Sequence, residues 1–376
     1  MTTTGTGSQR LRLGTRGSRL ALTQSGQVAE ALMAAGGGGA AAAAGKASEG
    51  SGGLGIDLVT VRTDGDGDRT PLRQLGGVGV FAARLRHALL DGEVDLVVHS
   101  FKDLPTQRVE GLEVICVPPR EDPHDALCAR DGLTLAALPE GARVGTGSPR
   151  RAAQLLATRP DLEVVDLRGN VPTRLARVRG LEAVGVGTDE PVAPSRADAT
   201  GDLDAVVLAL SGLRRLGLEH CASEILDLET MLPAPAQGAL AVEARAGECS
   251  TALARAVAVL DNEPTRLAVT AERALMARLG AGCAAPVGAW AHLSGGREPR
   301  VLVLRAVVTS LDGGQEVGCE LSTELPEVAG GPVTSGDAAA EAVRAAEALG
   351  VRAAEVLLED GAAEIVDLHA NKPRRD

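Results

Sequence analysis

The stretch Arg143-Val144-Gly145-Thr146-Gly147-Ser148-Pro149-Arg150-Arg151 decides the fold. Residues 143–146 read as a short strand, and Gly147 turns the chain. Ser148 is an N-cap whose hydroxyl accepts a free helical N–H, and Pro149 has the fixed φ suited to a first helical position. A helix therefore starts at Arg150, which makes the stretch half of a βαβ unit.

The same grammar recurs outward in both directions. Downstream, a strand at 162–167 ends at Arg168-Gly169-Asn170 ahead of a helical stretch at 172–179, and a strand at 204–209 is followed by a helix that Ser211-Gly212 opens and that carries Arg214 and Arg215. Upstream, residues 11–15 form a strand that breaks at Arg16-Gly17-Ser18, and Ser18 caps a helix with Leu20, Ala21, Val28 and Leu32 on one face. Residues 56–62 alternate as a strand, and 81–90 form a helix feeding a buried strand at 95–99, which ends at Ser100-Phe101-Lys102-Asp103. Proline-rich segments at 117–125 and 232–237 mark places where the chain passes between domains. The last third has a helix at 264–279, three strands in succession near 287–293, 301–309 and 316–322, and a helix from about residue 338. Strands in succession rather than alternation indicate an α+β unit. The expected architecture is two α/β domains crossed twice by the chain, 11–118 with 238–258 and then 124–232, plus a small C-terminal α+β domain at 261–376. The Gly/Ala run at 36–53 reads as a flexible insertion without chemistry, and 185–202 as an elaborated loop.

Composition bounds the function. At 376 residues and 44% hydrophobic content the chain can bury a sizeable core. A net charge of -12 argues against non-specific binding to nucleic acid or anionic membrane, so an anionic ligand must be met by a local cluster. With no Tyr, one Trp and two Phe, base-stacking platforms are nearly excluded. Cys116, Cys128, Cys221, Cys249, Cys283 and Cys319 form no C-x-x-C pair and read as reduced thiols of a cytoplasmic chain. The first ten residues carry no apolar signal core, and no run is long enough to span a bilayer. Gly145-Thr146-Gly147 lacks the third glycine of a dinucleotide fingerprint, and His99 and His124 lack partners at metal-ligand spacing, so no metal is expected.

Arg16, Lys102, Arg150, Arg151, Arg168, Arg174 and Arg215 all fall at strand-to-helix junctions. Those junctions line the carboxyl edge of a parallel sheet, where α/β folds bind ligands. A single arginine in a loop is more often a surface residue, but so many at one topological position point to a ligand bearing several carboxylates. Asp103, at the end of an apolar strand beside Lys102, is expected to be a partly buried carboxylate able to give and take a proton. Cys283, in Gly280-Ala281-Gly282-Cys283-Ala284, sits among small residues that leave a thiol accessible, although an inert buried cysteine fits the local sequence equally well. A non-enzymatic solute-binding module for a polycarboxylate would explain the arginines but gives Asp103 and Cys283 no task.

Taken in order, Thr15-Arg16-Gly17-Ser18, Val98-His99-Ser100-Phe101-Lys102-Asp103-Leu104-Pro105, Arg120-Glu121-Asp122-Pro123, Gly145-Thr146-Gly147-Ser148-Pro149-Arg150-Arg151, Leu167-Arg168-Gly169-Asn170, Ser211-Gly212-Leu213-Arg214-Arg215, Gln237-Gly238 and Thr270-Ala271-Glu272-Arg273 resemble the porphobilinogen deaminase (hydroxymethylbilane synthase) family. The resemblance implies periplasmic-binding-protein-like α/β domains and a monomeric enzyme that condenses four molecules of porphobilinogen into a linear tetrapyrrole with loss of ammonia. It implies a dipyrromethane cofactor in thioether linkage to Cys283, and Asp103 as the catalytic carboxylate. Lys102, Ser100, Thr146, Ser148, Arg150, Arg151 and Arg215 would then hold the cofactor, and Arg16, Ser18, Arg168 and Arg174 the substrate. Departures are Gln74 and Val78, where many relatives carry lysines, and Gly147, which replaces a small hydroxyl residue.

Overall fold

The computed structural model describes residues 10–37, 53–61, 80–181, 201–282, 285–294, 300–326 and 336–368. In chain order the first part runs through β1 (Arg10–Thr15), α1 (Arg19–Ala35), β2 (Gly55–Thr60), α2 (Val80–Leu90), β3 (Leu96–Ser100) and β4 (Leu112–Cys116). The second comprises β5 (Asp125–Ala129), β6 (Arg143–Thr146), α3 (Pro149–Thr158), β7 (Glu163–Asp166), α4 (Val171–Leu175), β8 (Ala205–Ala209), α5 (Leu210–Arg215) and β9 (Glu224–Leu226). The chain then returns through β10 (Leu240–Arg245) and α6 (Thr251–Leu260). It closes with α7 (Glu263–Leu279), β11 (Val287–Ser294), β12 (Val301–Thr309), β13 (Glu316–Glu324), α8 (Asp337–Glu359) and α9 (Ala362–Ile365).

Two five-stranded sheets have matching designs, ordered β2-β1-β3-β10-β4 and β7-β6-β8-β5-β9. In each, four strands run in one direction and one strand of opposite direction is inserted among them: β10 pairs antiparallel with β3 and β4, and β5 with β8 and β9. These antiparallel strands are absent from the sequence reading. The central parallel strands β3 and β8 are apolar on both faces because helices cover both. Leu96 and Val98 pack toward α1 and α6, while the intervening Val97 packs with Leu85 and Leu89 of α2. In the second sheet Val206 and Leu208 face a cluster with Leu175 and Leu213, and Ala205 and Val207 face one with Leu155.

Local capping agrees with the sequence. Ser18 accepts the Ala21 N–H at the start of α1, and Ser148 accepts that of Arg151 at the start of α3, with Pro149 in the first turn. The helix expected at 172–179 stops at Leu175, because Val178 leaves it to bridge Leu203 in parallel pairing. In the C-terminal unit β11, β12 and β13 form an antiparallel meander whose Ala289, Ala291, Leu302 and Leu304 pack under Leu275 of α7 and Leu349 and Leu357 of α8. Among the described residues no helix is long and apolar enough to cross a membrane.

Candidate active site

The candidate residues lie where strands of the two α/β sheets end and turn toward helices. On the first, β3 ends at Ser100 and the 3-10 turn Phe101–Asp103 follows. That turn is held from α7: Arg273 donates to the carbonyls of Phe101 (3.2 Å), Leu104 (2.7 Å) and Pro105 (2.8 Å), with its guanidinium 4.4 Å from the centre of the Phe101 ring. Ser100 donates its hydroxyl to Gln24 Oε1 at 3.1 Å, and Lys102 Nζ donates to Gln237 Oε1 at 3.2 Å. Asp103 is exposed rather than partly buried. The turn ends the strand at the sheet edge and buries only Phe101, leaving the carboxylate at the rim.

On the second sheet, the turn from β6 into α3 is built from its own hydroxyls, since Thr146 Oγ1 accepts the Ser148 N–H at 3.2 Å and Ser148 caps the helix. Arg150 and Arg151 in the first turn are 3% and 6% exposed, burial that guanidinium groups tolerate only with counter-charge. Asp125, fully buried at the start of β5, supplies it. Asp125 Oδ2 accepts from Arg150 Nη2 at 2.6 Å, and Oδ1 accepts from Arg151 Nε at 3.1 Å and Nη2 at 2.7 Å. Burial alone would favour the protonated acid, but the two guanidiniums outweigh it and hold Asp125 well below the usual carboxylate range. Gln237 ties this floor to the other domain: its Nε2 donates to Asp125 Oδ1 at 2.8 Å and to the Pro123 carbonyl at 2.7 Å, while its Oε1 accepts from Lys102.

The electrostatic coupling crosses the domain boundary. Burial, then Arg151, pushes the Lys102 ammonium down to about 8, with Arg150 adding to the effect and Asp103 and Asp125 opposing it. Burial, then Arg151 and Arg168, pushes Arg174 down to about 10, against Asp166 and again Asp103. Asp103 of the first domain is thus felt by Arg174 of the second. Among the described residues, Lys102, Arg150, Arg151, Arg168 and Arg174 stand against three carboxylates, Asp103, Asp125 and Asp166, in an acidic protein. The Nε atoms of Arg150 and Arg168 are buried with no hydrogen-bond partner among the described residues.

The remaining expected residues are placed less uniformly. Arg174 Nε donates to the Gly169 carbonyl at 2.8 Å. Burial lowers Arg215, which Glu121 opposes, and its Nη2 donates to the Gly238 carbonyl at 2.8 Å. Gly238 has φ +87, and a Cβ there would lie 2.2 Å from the Glu121 carbonyl oxygen, so the two crossing segments meet where only glycine fits. Arg16 and Ser18 follow β1, parallel neighbour of β3, and so share the edge that carries Lys102, although the Ser18 hydroxyl is engaged as a cap. Cys283, Gln74, Val78 and the segments 38–52 and 185–200 lie outside the described residues. Among the described residues no side-chain group is arranged to hold a metal ion.

Sequence reading missed Asp125 and gave Gln237 no role. The available signal was an acidic residue opening the wholly buried strand Asp125–Ala129, a position where charge survives only if paired.

Fold and site together define a class: a protein of two α/β domains crossed twice by its chain, with a smaller C-terminal unit, that brings cations of both α/β domains together. The chain matches the family model described as porphobilinogen deaminase, dipyromethane cofactor binding domain, over residues 11–252, and that family's C-terminal domain over 266–359. It is 50% identical to the porphobilinogen deaminase of Cutibacterium acnes over 97% of this chain and 99% of that one. The enzyme of Micrococcus luteus is 50% identical over 94% and 93%, and that of Thermobifida fusca 46% over 94% and 95%. The chain belongs to the porphobilinogen deaminase family. A full-length match to enzymes does not favour a non-enzymatic solute-binding module. Among solved structures, a YaeC-family lipoprotein of Enterococcus faecalis V583 matches at TM-score 0.34 and 15% identity over 68% of this chain and 93% of that one, too low to argue from.

Proposed function

We propose that this chain is a hydroxymethylbilane synthase, a transferase that joins four molecules of porphobilinogen head to tail with release of ammonia at each step. The observation that carries the reading is the crowding of cations from both domains on one buried floor, where Asp125 binds Arg150 and Arg151 and Gln237 joins them to Lys102. Each pyrrole brings an acetate and a propionate, and such carboxylates would relieve that crowding.

The residues present suit a dipyrromethane group. It carries several carboxylates, and the cluster holds more cations than carboxylates and two buried Nε donors without partners among the described residues. Lys102, Ser100, Thr146, Ser148, Arg150, Arg151 and Arg215 would hold it, with Cys283 as the point of attachment. When bound, the group supplies the pyrrole end to which the next unit is added. Arg16, Ser18, Arg168 and Arg174 would orient the acetate and propionate of incoming porphobilinogen. Asp103, exposed at the rim, would give a proton to the departing amine, and the ionised carboxylate would then face the positive charge left on the substrate.

We also take the enzyme to be a cytoplasmic monomer divided at 11–118 with 238–258, 124–232 and 261–376; its described cysteines are free thiols. Intact-mass measurement on purified protein tests the reading. The expected mass includes an adduct of two pyrrole units that Cys283→Ser abolishes. An unmodified mass in active protein would remove Cys283 from its priming role.

A further inference from the structure

Arg150 is anchored on a backbone carbonyl as well as on Asp125. Its Nη1 donates to the Leu232 oxygen at 2.5 Å, on the segment by which the chain leaves the second domain. Leu232 is itself gripped by one side chain of α3. Its N–H donates to Gln154 Oε1 at 2.7 Å, and its carbonyl accepts from Gln154 Nε2 at 3.1 Å. Gln154 is 5% exposed, and its planar amide pairs with Leu232 as a second peptide group would. The C-terminal unit closes on the other side, with the Ala289 N–H donating to the Pro233 carbonyl at 2.9 Å. A Cβ on Gly288 would come within 2.8 Å of Leu232 Cβ and 2.9 Å of its carbonyl oxygen, so the absence of a side chain permits this approach.

We infer that Gln154 is a positioning residue: by clamping Leu232 between α3 and β11 it fixes the carbonyl that orients Arg150, and through Arg150 the Asp125 floor on which Arg151 rests. Contact with the third domain at Gly288 then sets the affinity of the cleft for carboxylates. Gln154 touches no ligand in this scheme and acts only through Leu232 and Arg150. The inference rests on the proposal that the cleft takes the carboxylates of porphobilinogen.

Gln154→Leu removes the clamp, and Gly288→Ala presses on Leu232 from the opposite side. In each the KM for porphobilinogen should rise about tenfold while kcat stays within about twofold, the pattern of lost binding rather than lost chemistry. Because both act on one carbonyl, the double variant should fall well short of the product of the two effects. In the Asp103→Ala background, where turnover should be nearly abolished, the rise in melting temperature produced by porphobilinogen should shrink in parallel, which reads binding apart from turnover. An unchanged KM in both variants, whatever their melting temperatures, overturns the inference, as does a fully multiplicative double variant. If Gln154→Leu does not fold, Gln154→Glu, which keeps the acceptor for the Leu232 N–H but loses the donor to its carbonyl, is measured in its place. An unaltered chain that neither turns over porphobilinogen nor is shifted by it would sink the functional reading and this inference with it, a result distinct from an unchanged KM.

Discussion

Asp125 and Glu272 are both fully buried carboxylates bound by arginine, yet they do different work. Glu272, on α7, accepts from Arg120 Nη1 at 2.6 Å and Nη2 at 3.1 Å, from the Ala236 N–H at 2.5 Å and from the Ala291 N–H at 2.8 Å. One negative charge meets one positive charge, and every remaining acceptor is filled by backbone from a crossing segment and from β11. That is a closed joint. Asp125 meets two guanidiniums, so the pair it binds keeps a net positive charge, and Arg151 adds to burial in lowering the affinities of Lys102 and Arg174 for their protons. Buried charge is held either by completing its partners within the chain or by leaving the last partner to a ligand. The joint at Glu272 follows the first course, and on the proposed function the cleft around Asp125 follows the second.

The sharpest way to break this contrast is to ask whether cleft charge acts on chemistry and joint charge on folding. Asp103 is exposed, so Asp103→Ala should leave the folding stability from denaturant titration unchanged within about 0.5 kcal/mol. The same change should lower kcat by about 10²–10⁴, the usual worth of a positioned proton donor; a near-normal kcat would strike Asp103 from the reaction. Glu272→Gln should do the reverse. It leaves the Arg120 guanidinium buried without counter-charge and turns one accepting oxygen into a donor facing an N–H, at a cost of about 3–5 kcal/mol of folding stability by denaturant titration. A loss below about 1 kcal/mol would mean that Glu272 is no more than a spectator of the joint.

How legible these two regions were in the sequence follows from how local their causes are. The start of α3 could be read from Ser148 and Pro149 alone, because a cap acts within one turn, and the convergence of arginines on one edge followed from the strand-helix alternation. The insertion of β10 between β3 and β4, and of β5 between β8 and β9, is set by pairing across long separations and leaves no local mark. Asp125 was missed for the same reason: Arg150 lies 25 residues away and Gln237 112. Glu272 stood inside a recognised motif, but its partner Arg120 is 152 residues distant and nothing local announces the bond. The exposure of Asp103 was misjudged because a short 3-10 turn, rather than a continued strand, carries it.

The finest probe of the contrast is pH, because only the cleft has a cation whose charge is in play near neutrality. Lys102 is pushed by burial, then Arg151, from 10.5 down to about 8, so it is charged at neutral pH and loses its charge as the pH rises through that value. Ligand carboxylates favour the charged form, and the KM for porphobilinogen should therefore climb a few-fold between about pH 7 and pH 9. Lys102→Met should show the higher KM at the lower pH and no step. The empty chain should move in the opposite sense. With the folded value below the unfolded one, the unfolded state binds more protons between about 8 and 10.5, so the contribution of Lys102 to stability improves as pH rises across that window. Binding that weakens while the empty fold strengthens is what a desolvated cation in a carboxylate-binding cleft must produce, and a KM flat from about pH 7 to pH 9 in the unaltered chain would show that Lys102 meets no carboxylate of the ligand.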